Sequence, residues 1–191
     1  MGIIILEKEK RGYARFFWLL FAVMMAGLDR LTKWLVVSNM ELKDTIHIIK
    51  IGDTQVLNIY YCLNDGAAFS KLAGKTVFLI IVTSAVILWL LYLIIFGKVK
   101  RPVYMAAVSL IIGGGIGNLI DRIFNDGKVI DFIDVRIINF AIFNVADICA
   151  VCGAGLLLLV VIVDEIREFK AKKRTAQTES ESSSEESNGE D

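Results

Sequence analysis

Four stretches of this chain are apolar over about the length of a membrane-spanning helix, and that restriction leaves few folds open. Roughly 20 apolar residues in a helix span a ~30 Å hydrocarbon core. The segments 16–37, 77–96, 103–120 and 143–163 approach or exceed that length. The second carries no charge, the third is rich in glycine, and the fourth holds only Asp147. The first is interrupted by Asp29, Arg30 and Lys33. A chain of 191 residues that is 55% hydrophobic with one proline departs from soluble composition in the same direction, and its mean hydropathy is +0.61. The expected fold class is an α-helical membrane protein with four transmembrane helices. Segment 16–37 continues through Asp29-Arg30 without a small-residue cleavage pattern, so it reads as an uncleaved span rather than a signal peptide.

The zero net charge conceals an asymmetry. Residues 175–191 (TAQTESESSSEESNGED) hold six carboxylates and no cation, leaving residues 1–174 with 21 basic and 15 acidic side chains. That tail is Ser/Glu-rich without an apolar anchor, and it is expected to be a disordered appendage to a membrane domain over 1–174. Lys and Arg near span ends set orientation. Lys8, Lys10, Arg11 and Arg15 precede the first span, Lys98, Lys100 and Arg101 crowd the six-residue connection 97–102, and Arg167, Lys170, Lys172, Lys173 and Arg174 follow the last. With four spans these three regions share one side. The reading is multi-pass, with both termini cytoplasmic and the connections 38–76 and 121–142 outside.

The outer connections have their own pattern. Thr45–Ile51 and 54–61 flank the turn Gly52-Asp53 and read as a β-hairpin, and 128–138 is a candidate third strand. A short interfacial helix is expected over 67–72, with Phe69 and Leu72 toward lipid. Such a sheet either holds a substrate at the membrane surface or simply caps the bundle. Gly113 and Gly117 have the spacing that lets helix backbones approach closely.

Charged groups in or beside hydrocarbon are costly and tend to mark function. Asn118, Asp121 and Arg122 share a helix face at the outer end of the third span. Asn144 and Asp147 open the fourth, and Asp131 lies in the apolar segment between them. Three carboxylates can thus converge on one outward pocket beside Arg122. Two close carboxylates resist ionising together, which lets one act as general acid and the other as general base, as amide hydrolysis requires. The alternative is that these aspartates pair with Arg122, Arg30 and Lys33 to hold the bundle together. Asp29 and Lys33, spaced i, i+4, read as a structural ion pair, with Lys33 extending outward. Cys62, Cys149 and Cys152 form no disulfide pattern, and the single His47 has no metal-ligand motif around it. No metal, cofactor or nucleic acid is expected. A proton-coupled transporter and a non-enzymatic scaffold are the competing readings. Against the first, the ionisable groups gather at one edge and no repeated half is visible.

Five motifs in order, Asp29-Arg30-Leu31-Thr32-Lys33, Asn64-Asp65-Gly66-Ala67-Ala68-Phe69, Gly114-Gly115-Ile116-Gly117-Asn118-Leu119-Ile120-Asp121-Arg122, Val129-Ile130-Asp131-Phe132-Ile133 and Phe143-Asn144-Val145-Ala146-Asp147, resemble lipoprotein signal peptidase (signal peptidase II). The resemblance covers about residues 13–166. It implies an aspartic endopeptidase of bacterial cytoplasmic membranes. Such an enzyme removes the signal peptide of prolipoproteins immediately before a cysteine that already carries diacylglyceryl. By the same resemblance Asp131 and Asp147 are the catalytic pair and Asp121 supports them. Asn64, Gly66, Asn118, Arg122 and Asn144 fall in the substrate site that also takes the cyclic peptide globomycin. The chain departs from the family pattern at Phe140-Ala141-Ile142, where many members have an aromatic residue and a proline.

Overall fold

The structure is a computed structural model that describes residues 2–66, 76–138 and 140–187, with side chains over 12–66, 76–138 and 140–175. In chain order it runs α1 (Gly2–Asn39), β1 (Thr45–Ile51), β2 (Thr54–Asn64), α2 (Thr76–Ile95), α3 (Pro102–Phe124), β3 (Val129–Val135), a 3₁₀ turn (Arg136–Ile138) and α4 (Val145–Ser187). Among the described residues, three helical stretches, Thr76–Ile95, Pro102–Phe124 and Val145–Thr175, are long and apolar enough to cross a membrane. The expected interfacial helix over 67–72 lies outside the described residues.

The helices pack as the placement of small and large side chains dictates. α3 is central, packing on α4, α1 and α2. A Cβ at Gly114 would stand 2.3 Å from the Ala146 carbonyl oxygen, so only glycine lets α3 and α4 come this close. Ala22, Ile87, Leu90, Ile94, Met105, Val108 and Ile112 form the apolar core between α1, α2 and α3. α2 buries only Ile87, Leu90 and Ile94 and leaves Phe78, Ile81, Leu88 and Trp89 exposed. An apolar face of that extent suits hydrocarbon, not water.

The sheet is antiparallel in the order β1-β2-β3. Gly52, at φ +59, makes the two-residue reversal between β1 and β2 that the Gly-Asp pair predicts. β2 runs three residues beyond its expected end because β3 continues to pair with it, Asn64 standing opposite Val129. Val36, Ile130 and Phe132 pack the sheet onto the end of α1. Arg15 donates to the Ile95 carbonyl, and Arg101 and Tyr104 bind Asp164. These contacts gather the α2–α3 connection at the end of the bundle opposite the sheet.

The helix α4 runs on through Ser187.

Candidate active site

The site is built where α3 ends, β3 begins and α4 starts. Asp126 at φ 51 and Gly127 at φ +83 reverse the chain after α3 and send it back as β3. Asp121, on the last turns of α3, accepts the Ile130 backbone N–H through Oδ2 at 3.1 Å and so fixes β3 one residue before Asp131. The chain then returns along β3, where Phe143 and Ile133 exchange backbone hydrogen bonds. This delivers Asn144 to the start of α4.

Asn144 caps that helix. Its Oδ1 accepts the Asp147 N–H at 2.9 Å, while Asp147 Oδ2 accepts the Asn144 N–H at 3.1 Å. This reciprocal arrangement satisfies two backbone donors left over at a helix N-terminus. A third, the Ala146 N–H, goes to Asp29 Oδ1 of α1 at 2.9 Å. Asp29 has room because position 117 is glycine: a Cβ there would lie 2.5 Å from Asp29 Oδ2.

Asn144 also joins the two candidate catalytic carboxylates. Its Nδ2 donates to Asp131 Oδ1 at 2.7 Å, with Asn118 Oδ1 and the Ile130 carbonyl at 3.0 and 3.2 Å. Asn118 Nδ2 donates to Asp147 Oδ1 at 2.7 Å, and Asn64 Nδ2 to Asp131 Oδ2 at 2.8 Å. Every carboxylate oxygen of the pair therefore has a defined donor. Burial pushes Asp131 up to about 7, and the nearby Asp147 charge adds to this, while the bonds from Asn64 and Asn144 oppose it. Across the strand pair from Asp131, burial also pushes the Cys62 thiol up to about 12, with Asp131 and Asp134 contributing. That leaves Cys62 an inert thiol.

Beneath this layer sits an ion network. Lys33 is fully buried: its Nζ forms ion pairs with Asp29 Oδ2 and Asp121 Oδ2, each at 2.8 Å, and donates to Asn118 Oδ1 at 3.0 Å. Arg30 pairs with the other Asp121 oxygen. The expected outward extension of Lys33 is thus corrected. Two inward carboxylates supply its counter-charge, which reaching for water would give up.

A cavity of about 200 Å³ opens above the network. Asn64, Gly66, Asn118, Arg122, Asp131 and Asp147 line it, and 140–143 form an apolar rim. Asn144 and Asp121 are fully buried and do not line it. Arg122 contacts backbone carbonyls, of Asn118 and of Gly66, both at 3.4 Å. Among the described residues Asp131 and Asp147 have no cation within ion-pair distance, whereas Asp29 and Asp121 do. Of the cations in the structural alternative, Arg30 and Lys33 pair with Asp29 and Asp121, while Arg122 lines the cavity with Asp131 and Asp147 without reaching ion-pair distance of either.

Sequence reasoning missed the Asn64–Asp131 bond and the Asp29 cap on α4. Neither leaves a local signal, since the partners lie 67 and 117 residues apart. The capping arrangement did leave one, an Asn followed three positions later by Asp.

Fold and site together define a helical membrane protein with a carboxylate-lined pocket at one end of its bundle. Comparison with known proteins narrows this further: the chain belongs to the signal peptidase II family, and is a peptidase. The family model described as signal peptidase (SPase) II matches residues 21–163. The chain is similar to the lipoprotein signal peptidase of Shouchella clausii, 40% identical over 152 residues, covering 80% of this chain and 97% of that one. To that of Bacillus subtilis it is 39% identical over 153 residues, covering 79% and 96%. It also resembles a solved bacterial membrane enzyme, determined by the in meso method at 2.3 Å, with TM-score 0.71 and 33% identity, covering 78% of this chain and 89% of the other.

Proposed function

We propose that this chain is a four-span aspartic endopeptidase of the bacterial cytoplasmic membrane. It removes signal peptides from diacylglyceryl-modified prolipoproteins by cutting before the lipidated cysteine. The observation that carries the reading is the pair Asp131 and Asp147, both facing one cavity, both outside the ion network, and joined through Asn144. The names of the relatives supply the substrate class.

Asp131 holds the proton of the resting pair, in keeping with its position near 7, and Asp147 acts as base. Water placed between them loses a proton to Asp147 and attacks the scissile carbonyl carbon. As the C–N bond breaks, Asp131 gives its proton to the departing amine of the lipidated cysteine. Asn64, Asn118 and Asn144 hold the carboxylates in position. Arg122, a cation at the cavity wall, and Gly66, whose carbonyl accepts from it, orient the substrate backbone. Asp121 supports β3, and Asp29 with Lys33 holds α1 against the start of α4. Globomycin-type cyclic peptides occupy the same cavity and block it.

The basic flanks place the α2–α3 connection and both termini in the cytoplasm and the site on the outer face, with α1 as the fourth span. Residues 175–191 are an appendage outside the peptidase unit. The test is to incubate purified protein with a diacylglyceryl-modified prolipoprotein and follow its mass. Loss of the signal peptide, absent without lipidation and blocked by globomycin, is expected. An unchanged mass in the presence of ion flux through proteoliposomes argues for a transporter instead.

A further inference from the structure

A second cavity, of about 320 Å³, lies at the end of the bundle away from the carboxylates. Ala14 and Arg15 of α1, Val99 and Lys100 of the α2–α3 connection, and Met105 of α3 line it. Its chemistry is two cations over an apolar floor. Met105 is buried in the helix core, Val99 packs against that core, and no carboxylate lines the cavity among the described residues. Asp164, also at this end, is taken up by Arg101 and Tyr104.

Arg15 is held in place. Its Nη1 donates to the Ile95 carbonyl at 3.2 Å, one of the carbonyls a helix C-terminus leaves free. The guanidinium lies over Gly97, where a Cβ would meet Nη2 at 2.3 Å. A fixed guanidinium with donors remaining suits the oxygens of a phosphate. Phe16 and Phe17, exposed on the next positions of α1, add apolar surface beside it. Basic pockets between helices on the cytoplasmic side bind anionic lipid headgroups.

We propose that Arg15 and Lys100 bind the phosphodiester of an anionic phospholipid of the cytoplasmic leaflet, with its glycerol over Val99 and Met105. This rests on the orientation proposed above, but not on the peptidase activity. Native mass spectrometry of the full chain, released from detergent with phosphatidylglycerol, phosphatidylcholine or inorganic phosphate, tests it. One retained phosphatidylglycerol is expected, with phosphatidylcholine lost. Lys100→Gln, on an exposed side chain, should weaken retention about fivefold, as should Arg15→Gln. Lys170→Gln/Lys172→Gln, equally basic but away from the cavity, should leave it unchanged. Equal retention of phosphatidylcholine, or no effect of Lys100→Gln, overturns the site. Displacement by inorganic phosphate at matching concentration overturns the lipid as its ligand. Cleavage measured on the same samples separates the two proposals: normal cleavage without lipid retention rejects only this one, and retention without cleavage rejects only the peptidase.

Discussion

Asn144 and Asp147 hold each other across the first turn of α4, each accepting the other's backbone N–H. The same Asn144 amide reaches Asp131 at 2.7 Å, so one side chain sets both the start of a helix and the spacing of the carboxylates. Asn144→Ala should lose the cap, costing about 1 kcal/mol, together with the link to Asp131. Asn144→Ser keeps a capping oxygen and removes the amide that donates to Asp131, Asn118 and the Ile130 carbonyl. The Ser variant should unfold above the Ala variant, since it keeps the cap, while kcat drops on the order of 100-fold, a loss typical of misplaced reacting groups. A Ser variant with full kcat contradicts the bridging role.

The pH dependence follows from Asp131. Its position near 7 in the folded chain, against 3.8 for a free carboxyl, means the folded protein keeps a proton the unfolded chain has lost between those values. The stability this contributes is complete below about pH 4 and lost as pH rises through about 7. Unfolding midpoints should therefore fall across that window, and Asp131→Asn should flatten the decline. If Asp131 is the acid, kcat/KM should decline above about pH 7.

Lys33→Met tests the buried network. Removing the one cation that Asp29 and Asp121 share leaves Asp29 without a counter-charge. A loss of about 3–5 kcal/mol is expected, read as a large fall in unfolding temperature or in folded yield. An unchanged midpoint contradicts the account of why Lys33 points inward.

Much of the helical frame was legible because hydropathy is a local signal. The starts of α2, α3 and α4 fall within two residues of the expected spans. The Gly52-Asp53 turn is likewise written in two adjacent residues. What stayed hidden depends on distant partners. β2 reaches Asn64 only because β3 pairs there, and Asn64 meets Asp131 only through that register. The orientation of Lys33 failed for the same reason: its acceptors Asp121 and Asn118 belong to another helix. Spacing alone showed which aspartates could converge; the distances show which of them are already paired.

Gly117→Ala probes the coupling of α1 to the site. The added Cβ meets Asp29 Oδ2 at 2.5 Å and Ala146 Cβ at 3.1 Å. Overpacking there should cost about 1–3 kcal/mol and lower activity by displacing the Asp29 cap on Ala146. Gly155→Ala, where nothing stands within 4 Å, should raise the midpoint slightly through helix propensity, about 0.5–1 kcal/mol, and leave the rate unchanged. Equal behaviour of the two variants contradicts the close-approach argument.

On the proposed mechanism Asp131 and Asp147 perform the cleavage together. The most direct test is single-turnover cleavage of a diacylglyceryl-modified prolipoprotein by purified Asp131→Asn and Asp147→Asn, each checked for wild-type unfolding behaviour. Both folded variants should leave the substrate mass unchanged over a time in which wild type consumes it fully. Substantial cleavage by either folded variant contradicts the assignment.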